Sequence, residues 1–255
     1  MKLYGIIAAD MLGSQFEGKK PEEIPRVIRW NSECRFTDDT ILTCAVADSM
    51  LTGAALAENL RKFYLYFPQA GYGPKFSEWC WFSGGEPYNS LGNGAAMRAG
   101  SCGWHAQSIF AAWDLGKWSA SPTHNHKEGV KGARAVALGM FLLRQGYKKE
   151  TVGRVLKWIF KYKWDLPLSQ LKPGDMEPTC QHSMPLAIRA FMTGHSFVEV
   201  IQTAIKYGGD TDTIACIAAA LAEVTYPIPN SIITEVEERL DDKLLRVVQA
   251  FNQSS

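Results

Sequence analysis

Apolar residues recur at helical spacing along almost the whole chain, and runs that alternate apolar with polar, as a strand would, are almost absent. Leu3, Ile6, Ile7 and Met11 mark one face of a first helix, and Asp10 lies on that same inward face. Further helices are predicted over 39–52, from Ala54 to about Phe67 with Pro68 as the stop, and over about 93–115, 127–145, 150–162, 183–193, 196–207, 211–225 and 230–251. Residues 71–94 (GYGPKFSEWCWFSGGEPYNSLGNG) are too irregular for one element and long enough to be functional. No repeat or composition shift divides the chain. The expectation is an all-α fold, a single domain over 1–255 whose loops carry the chemistry.

Composition narrows the function classes. A formal charge of +1 with no basic stripe gives no strong nucleic-acid signal. No run of about 18 apolar residues is present, so no membrane span is expected. The opening MKLYGIIAADMLG is interrupted by Asp10 too soon for a signal peptide. The six cysteines are dispersed with no CxxC pair, which reads as free thiols in a reducing cytoplasm. The sequence leaves the oligomeric state open, with a monomer favoured.

Two short stretches place like charges at the mouths of apolar helices: FTDDT at 36–40 and YGGDTDTIA at 207–215. Each alone is explained by helix capping, because Thr37 can serve as an N-cap and aspartates in a first turn favour the positive end of the macrodipole. If the two helix mouths face each other, Asp38, Asp39, Asp210 and Asp212 bring four carboxylates into one site. Such a cluster calls for raised pKa values or for cations. Two divalent ions would balance it, and oxygen-only ligands suit Mg²⁺ or Mn²⁺ better than zinc. Gly208 and Gly209 then read as room for the metals and their substrate.

FTDDT, GNGAAMR at 92–98, PTHNH at 122–126 and GGDTDTIA at 208–215, in this order, resemble the ADP-ribosylglycohydrolases from residue 3 to about 226. The resemblance implies a compact, orthogonal-type helical domain with a binuclear Mg²⁺ centre, in a cleft formed by helix N-termini and loops. It implies hydrolysis of the glycosidic bond between ADP-ribose and an acceptor, a protein side chain or a small molecule. Carried over by position, Thr37, Asp38 and Asp39 match one half of the metal ligands, and Asp210, Asp212 and Thr213 the other. Asp38 is also expected to take part in catalysis.

ADMLGSQFEG resembles the family's GDxxGxxxE opening, with Ala9 in place of the usual glycine. Glu17 falls where hydrolases of the serine-directed type carry a catalytic glutamate on a mobile loop, although a glutamate in so polar a loop is ordinarily just solvated. Asp10 either bonds a helix end or acts beside the metals, since a lone buried carboxylate is costly. Ser90, Gly92, Asn93 and Gly94 are expected to bind substrate, the small residues letting a pyrophosphate reach backbone N–H groups. His124 matches a family histidine set against the ribose, whereas Arg98 reads as structural, pairing with a helix-end carbonyl or a carboxylate. Trp81, Phe82 or Tyr88 could stack on adenine, with core packing the ordinary role of each.

The acceptor stays open among arginine, serine, a small molecule and a nucleobase. PTHNHKEGVKGARAVALG is closer to bacterial members, which favours arginine-linked substrates, and the short segment between Glu17 and Thr37 favours a permissive site. The alternatives are a non-catalytic member that binds ADP-ribose or serves structurally, and a phosphoester hydrolase on the same metals.

Overall fold

The computed structural model describes residues 1–82 and 85–254. Among them every regular element is helical, the sole extended pairing being an isolated bridge between Gly92 and Thr179. The first seven helices are α1 (Tyr4–Ser14), α2 (Asp38–Thr52), α3 (Leu56–Tyr66), α4 (Pro74–Phe82), α5 (Gly94–Met97), α6 (Gly100–His105) and α7 (Ile109–Ala120). The next four are α8 (Lys127–Arg144), α9 (Lys149–Trp158), α10 (Leu168–Leu171) and α11 (Cys180–Thr193). The last four are α12 (Phe197–Ile205), α13 (Thr211–Thr225), α14 (Asn230–Arg239) and α15 (Asp242–Gln253).

The centre of the fold is α13, buried from Thr211 to Glu223. Its run IACIAAALA offers small side chains all round, so α1, α12, α11 and α8 approach it closely. α1 packs on it most extensively. At one end of that contact, a β-carbon on Gly13 would lie 2.5 Å from the Asp212 Cα, so only glycine fits. At the other end, Glu223 accepts the N–H groups of Leu3, Gly5 and Ile6 and the Trp104 indole N–H. These bonds serve donors that the first turn of α1 would otherwise leave bare. Burial raises the Glu223 carboxyl to about 7, and the four donors pull against that rise.

Two sequence expectations change, and a third is filled in. The helix expected over 93–115 is divided into α5, α6 and α7, because the backbone turns after Met97 and again at Ala106, where Ser108 caps α7 by accepting from the Ala111 N–H. The helix expected over 230–251 breaks at Leu240, and Asp241 caps α15 through the Lys243 N–H. Within 71–94, a stretch read as irregular, Pro74–Phe82 is helical, with Phe76 and Trp79 on its buried face.

Candidate functional site

The starts of α2 and α13 meet. The Thr213 hydroxyl donates to Asp39 Oδ2 at 3.2 Å, although the two residues are 174 positions apart. Asp38, Asp39, Asp210, Asp212 and Thr213 all line one cleft of about 550 Å³. Thr37 stands behind them, its hydroxyl accepting from the Asp39 N–H and donating to Asp10 Oδ1 at 2.6 Å. Capping explains α2 only in part, through Thr37. At α13, Asp210 occupies the cap position without capping, and its Oδ2 instead accepts from the Asn93 side chain at 2.5 Å.

Asp10 is wholly buried and its carboxylate is held by four donors: the N–H and hydroxyl of Thr37 and the N–H and hydroxyl of Thr40. Of the two alternatives for Asp10, these bonds show the one at a helix end. It binds the first turn of α2, and one of its oxygens lies within 4.8 Å of ligand atoms on Asp39 and Asp212. Sequence reasoning misses Thr40, although its spacing from Thr37 puts both on one helical face.

Burial raises the acidic groups. Asp38 and Asp39 are held well above the usual carboxylate range, chiefly by desolvation and then by Asp10; Asp212 is raised by desolvation and then by Asp210. Two helix N-termini offset part of that repulsion. Asp39 Oδ1 is buried and has no hydrogen-bond partner among the described residues. A buried carboxylate oxygen left bare is costly unless something else binds it. An oxygen-rich cluster with such an atom fits a hard divalent cation.

Glu17 reaches the mouth of the same cleft on a tethered loop. The Gly18 N–H donates to the Gly209 carbonyl at 2.9 Å, and the Gly209 N–H donates to the Lys19 carbonyl at 2.8 Å. Gly208 and Gly209 have φ of 69° and 73°, and a β-carbon on Gly209 would lie 2.4 Å from the Asp175 carbonyl oxygen. The glycine pair therefore docks the loops of Lys19 and Asp175 and does not open room in the cleft. Glu17 is exposed, yet the cleft mouth strips part of its hydration and raises its pKa; Asp210 adds to the rise and Arg35 opposes it.

His124 also lines the cleft and is buried, and its Nε2 stands 3.2 Å and 3.3 Å from where β-carbons on Gly92 and Gly94 would be. Its Nδ1 lies 2.7 Å from Thr123 Oγ1, which accepts from Arg98 Nη2 at 2.8 Å. With that bond received, the threonine proton is directed to Nδ1, so Nε2 carries the ring hydrogen. Burial, then Arg98, holds the His124 pKa well below its usual value, and the ring stays neutral. Arg98 is structural as expected: it donates to the carbonyls of Ser119 and Ala120, at the end of α7.

Ser90, Gly92, Asn93 and Gly94 border the cleft, but three of their N–H groups already have protein acceptors. Ser90 N–H donates to Thr123, Gly92 N–H to the Ser90 hydroxyl and Asn93 N–H to Pro178. The Asn93 amide turns to Ser183 and Asp210, two neighbours the sequence alone could not pair with it. Of the three aromatics, Tyr88 lines the cleft with its ring 6.1 Å from His124, whereas Trp81 and Phe82 are exposed outside it. Lys75 and Phe76 also line it and had no sequence signal.

Residues 2–254 match the ADP-ribosylglycohydrolase family. The chain is 23% identical over 333 aligned residues to ADP-ribosylhydrolase ARH3 of Danio rerio, an alignment spanning 98% of this chain and 89% of that protein. A solved structure described as an ADP-ribosylglycohydrolase-related protein complex shares the fold, with a TM-score of 0.73 at 21% identity, over 97% of this chain and 94% of that one. With two acidic helix mouths facing one cleft and nearly the full length matched, the chain belongs to the ADP-ribosylglycohydrolase family.

Proposed function

We propose that this protein is an ADP-ribosyl-acceptor glycohydrolase, which cleaves the glycosidic bond joining ADP-ribose to an acceptor in a Mg²⁺-dependent reaction. The observation that carries this reading is the orphaned Asp39 Oδ1 where the two acidic helix mouths join, on a cleft that Glu17 and His124 also border. Thr37, Asp38, Asp39, Asp210, Asp212 and Thr213 would hold two Mg²⁺ ions, with Mn²⁺ as the alternative, and Asp10 orders the first turn of α2. Bound there, the ions supply Lewis-acid polarisation of the ribose hydroxyls next to the scissile bond.

The protein's own groups account for the remaining chemistry. Positive charge develops at the anomeric carbon as the bond breaks, and the carboxylates of Asp38 and Glu17, which line the cleft, would favour it. The raised proton affinity of Glu17 suits it to take a proton from attacking water. Neutral His124 offers its Nε2–H to a ligand oxygen over Gly92 and Gly94. Tyr88, the one of the three candidate aromatics that lines the cleft, would meet the adenine. Asp10 becomes a positioning residue, because all four of its hydrogen bonds go to α2 and its cap.

An arginine-linked protein side chain is the favoured acceptor, on the likeness of the 122–139 stretch to bacterial members. A serine linkage is the second reading, supported by Glu17 standing in the cleft mouth on its tethered loop. The six cysteines, all buried free thiols, support a reducing, cytoplasmic setting, and among the described residues no helix is long and apolar enough to cross a membrane. The test is release of free ADP-ribose from arginine-, serine- and DNA-linked substrates, with and without Mg²⁺. Binding of ADP-ribose without release from any of them would overturn the catalytic reading in favour of a binding protein.

A further inference from the structure

A second cavity, of about 330 Å³, lies on the far side of the segment that walls the cleft. Met176 and Pro178 face the cleft, while Glu177 and His182 line this other space. Four lysines border it: Lys131, Lys161, Lys163 and Lys172. Lys131 is paired with Glu128, whereas Lys161, Lys163 and Lys172 have no ion pair among the described residues. Against them the lining supplies a single carboxylate, that of Glu177, which already accepts from the Thr179 hydroxyl. Like charges bordering one cavity repel one another, and an anion between them would be attracted to each.

The wall carries a second, independent signal. His182 and Tyr162 both line the cavity, 8% and 2% exposed. His182 Nε2 and the Tyr162 hydroxyl are buried without any hydrogen-bond partner among the described residues. Buried polar atoms are nearly always satisfied, so two orphans on the wall of one basic cavity call for a ligand with oxygen acceptors. We propose that this cavity is an anion site for a phosphate group, held by the charges of Lys161, Lys163 and Lys172 and by hydrogen bonds from Tyr162 and His182. Lysine suits phosphate as a point charge, and the volume leaves space for a small organic group attached to it.

Isothermal titration of inorganic phosphate into the metal-free full chain tests this without requiring turnover, so its outcome is separate from the hydrolase reading. Saturable one-to-one binding is expected. Lys163→Ala with Lys172→Ala should weaken it at least about 10-fold, and Tyr162→Phe should weaken it by a smaller factor. Both lysines are exposed, so the double variant should keep the wild-type melting temperature. Lys75→Ala, in the cleft, should leave the binding unchanged. A parallel titration with adenosine monophosphate separates the sources. Equal or tighter lysine-dependent binding points to a nucleotide, and weaker binding points to the free anion. Binding that does not saturate, or survives the double lysine variant, or is lost in Lys75→Ala, overturns the site.

Discussion

Thr213 and Asp39 are joined by a hydrogen bond of 3.2 Å between the first turns of α13 and α2, and this contact makes one acidic site from two helix mouths. Asp39→Asn should remove the carboxylate with the orphaned oxygen while keeping its size. Turnover is expected to fall at least about 100-fold, with Mg²⁺ affinity falling alongside, because a ligand is lost and its partners are left unbalanced. Asp212→Ala should do the same. Wild-type turnover in either variant would refute the metal assignment.

Magnesium should stabilise the protein in a pH-dependent way. In the metal-free protein, Asp38, Asp39 and Asp212 have raised pKa values, so protons compete for the oxygens that a cation needs. The rise in melting temperature on adding Mg²⁺ should therefore be larger at pH 8 than at pH 6, and a chelator should abolish it. Melts with and without the ion at both values measure this directly.

Thr123→Val keeps the shape of the side chain and removes the link between Arg98 and His124. Arg98 Nη1 already has no partner among the described residues, so a further loss leaves this buried cation poorly served. A cost of about 1–3 kcal/mol in stability is expected. The larger effect should be on KM and kcat together, about 10-fold or more in kcat/KM, because the ring loses its preferred tautomer. Unchanged kinetics in a folded variant would remove His124 from ligand binding.

The same histidine contributes a signed pH effect. Its folded pKa is well below the usual value, so below about pH 6.5 the unfolded chain binds a proton that the folded chain refuses. The stability that a neutral His124 contributes is present above that pH and is lost as pH falls below it. Chemical denaturation at pH 8 and 5.5 should show a greater acid loss in wild type than in His124→Gln.

Gly209→Ala places a β-carbon 2.4 Å from the Asp175 carbonyl oxygen, on a residue with φ of 73°. A destabilisation of about 1–3 kcal/mol or more is expected from the backbone alone. Since Gly209 also holds the loop of Glu17 through Gly18 and Lys19, kcat should fall further than stability explains. Hydrogen exchange at Gly18 would report the loosened loop.

The helical fold was legible in the sequence because apolar spacing at 3.6 residues is a local property, visible without knowing what a helix packs against. That held for α2, α8, α12 and α13, whose predicted spans agree with the structure to within a few residues. It failed over 93–115, where α5 ends at Met97 and Arg98 reaches carbonyls at the end of α7, a contact that no local window contains. The acidic motifs were equally legible as residue types. Their alternative explanation, capping, proved true for Thr37 and false for Asp210, and only the position of Asn93 beside Asp210 decides between the two.

Composition and local pattern thus determined that this chain is helical and that it places aspartates and threonines at two helix mouths. Which of them meet was decided by packing. The glycine and alanine faces of α1 and α13 let two backbones come close enough to bring Asp10, Asp39 and Asp212 within one ligand's reach. Even the glycine pair before Asp210 took its meaning from tertiary contact, because a positive φ can be read as space or as a docking point, and the Lys19 and Asp175 carbonyls made it the second. Long-range contacts follow from the summed burial of the whole chain, and no short window of sequence contains that sum.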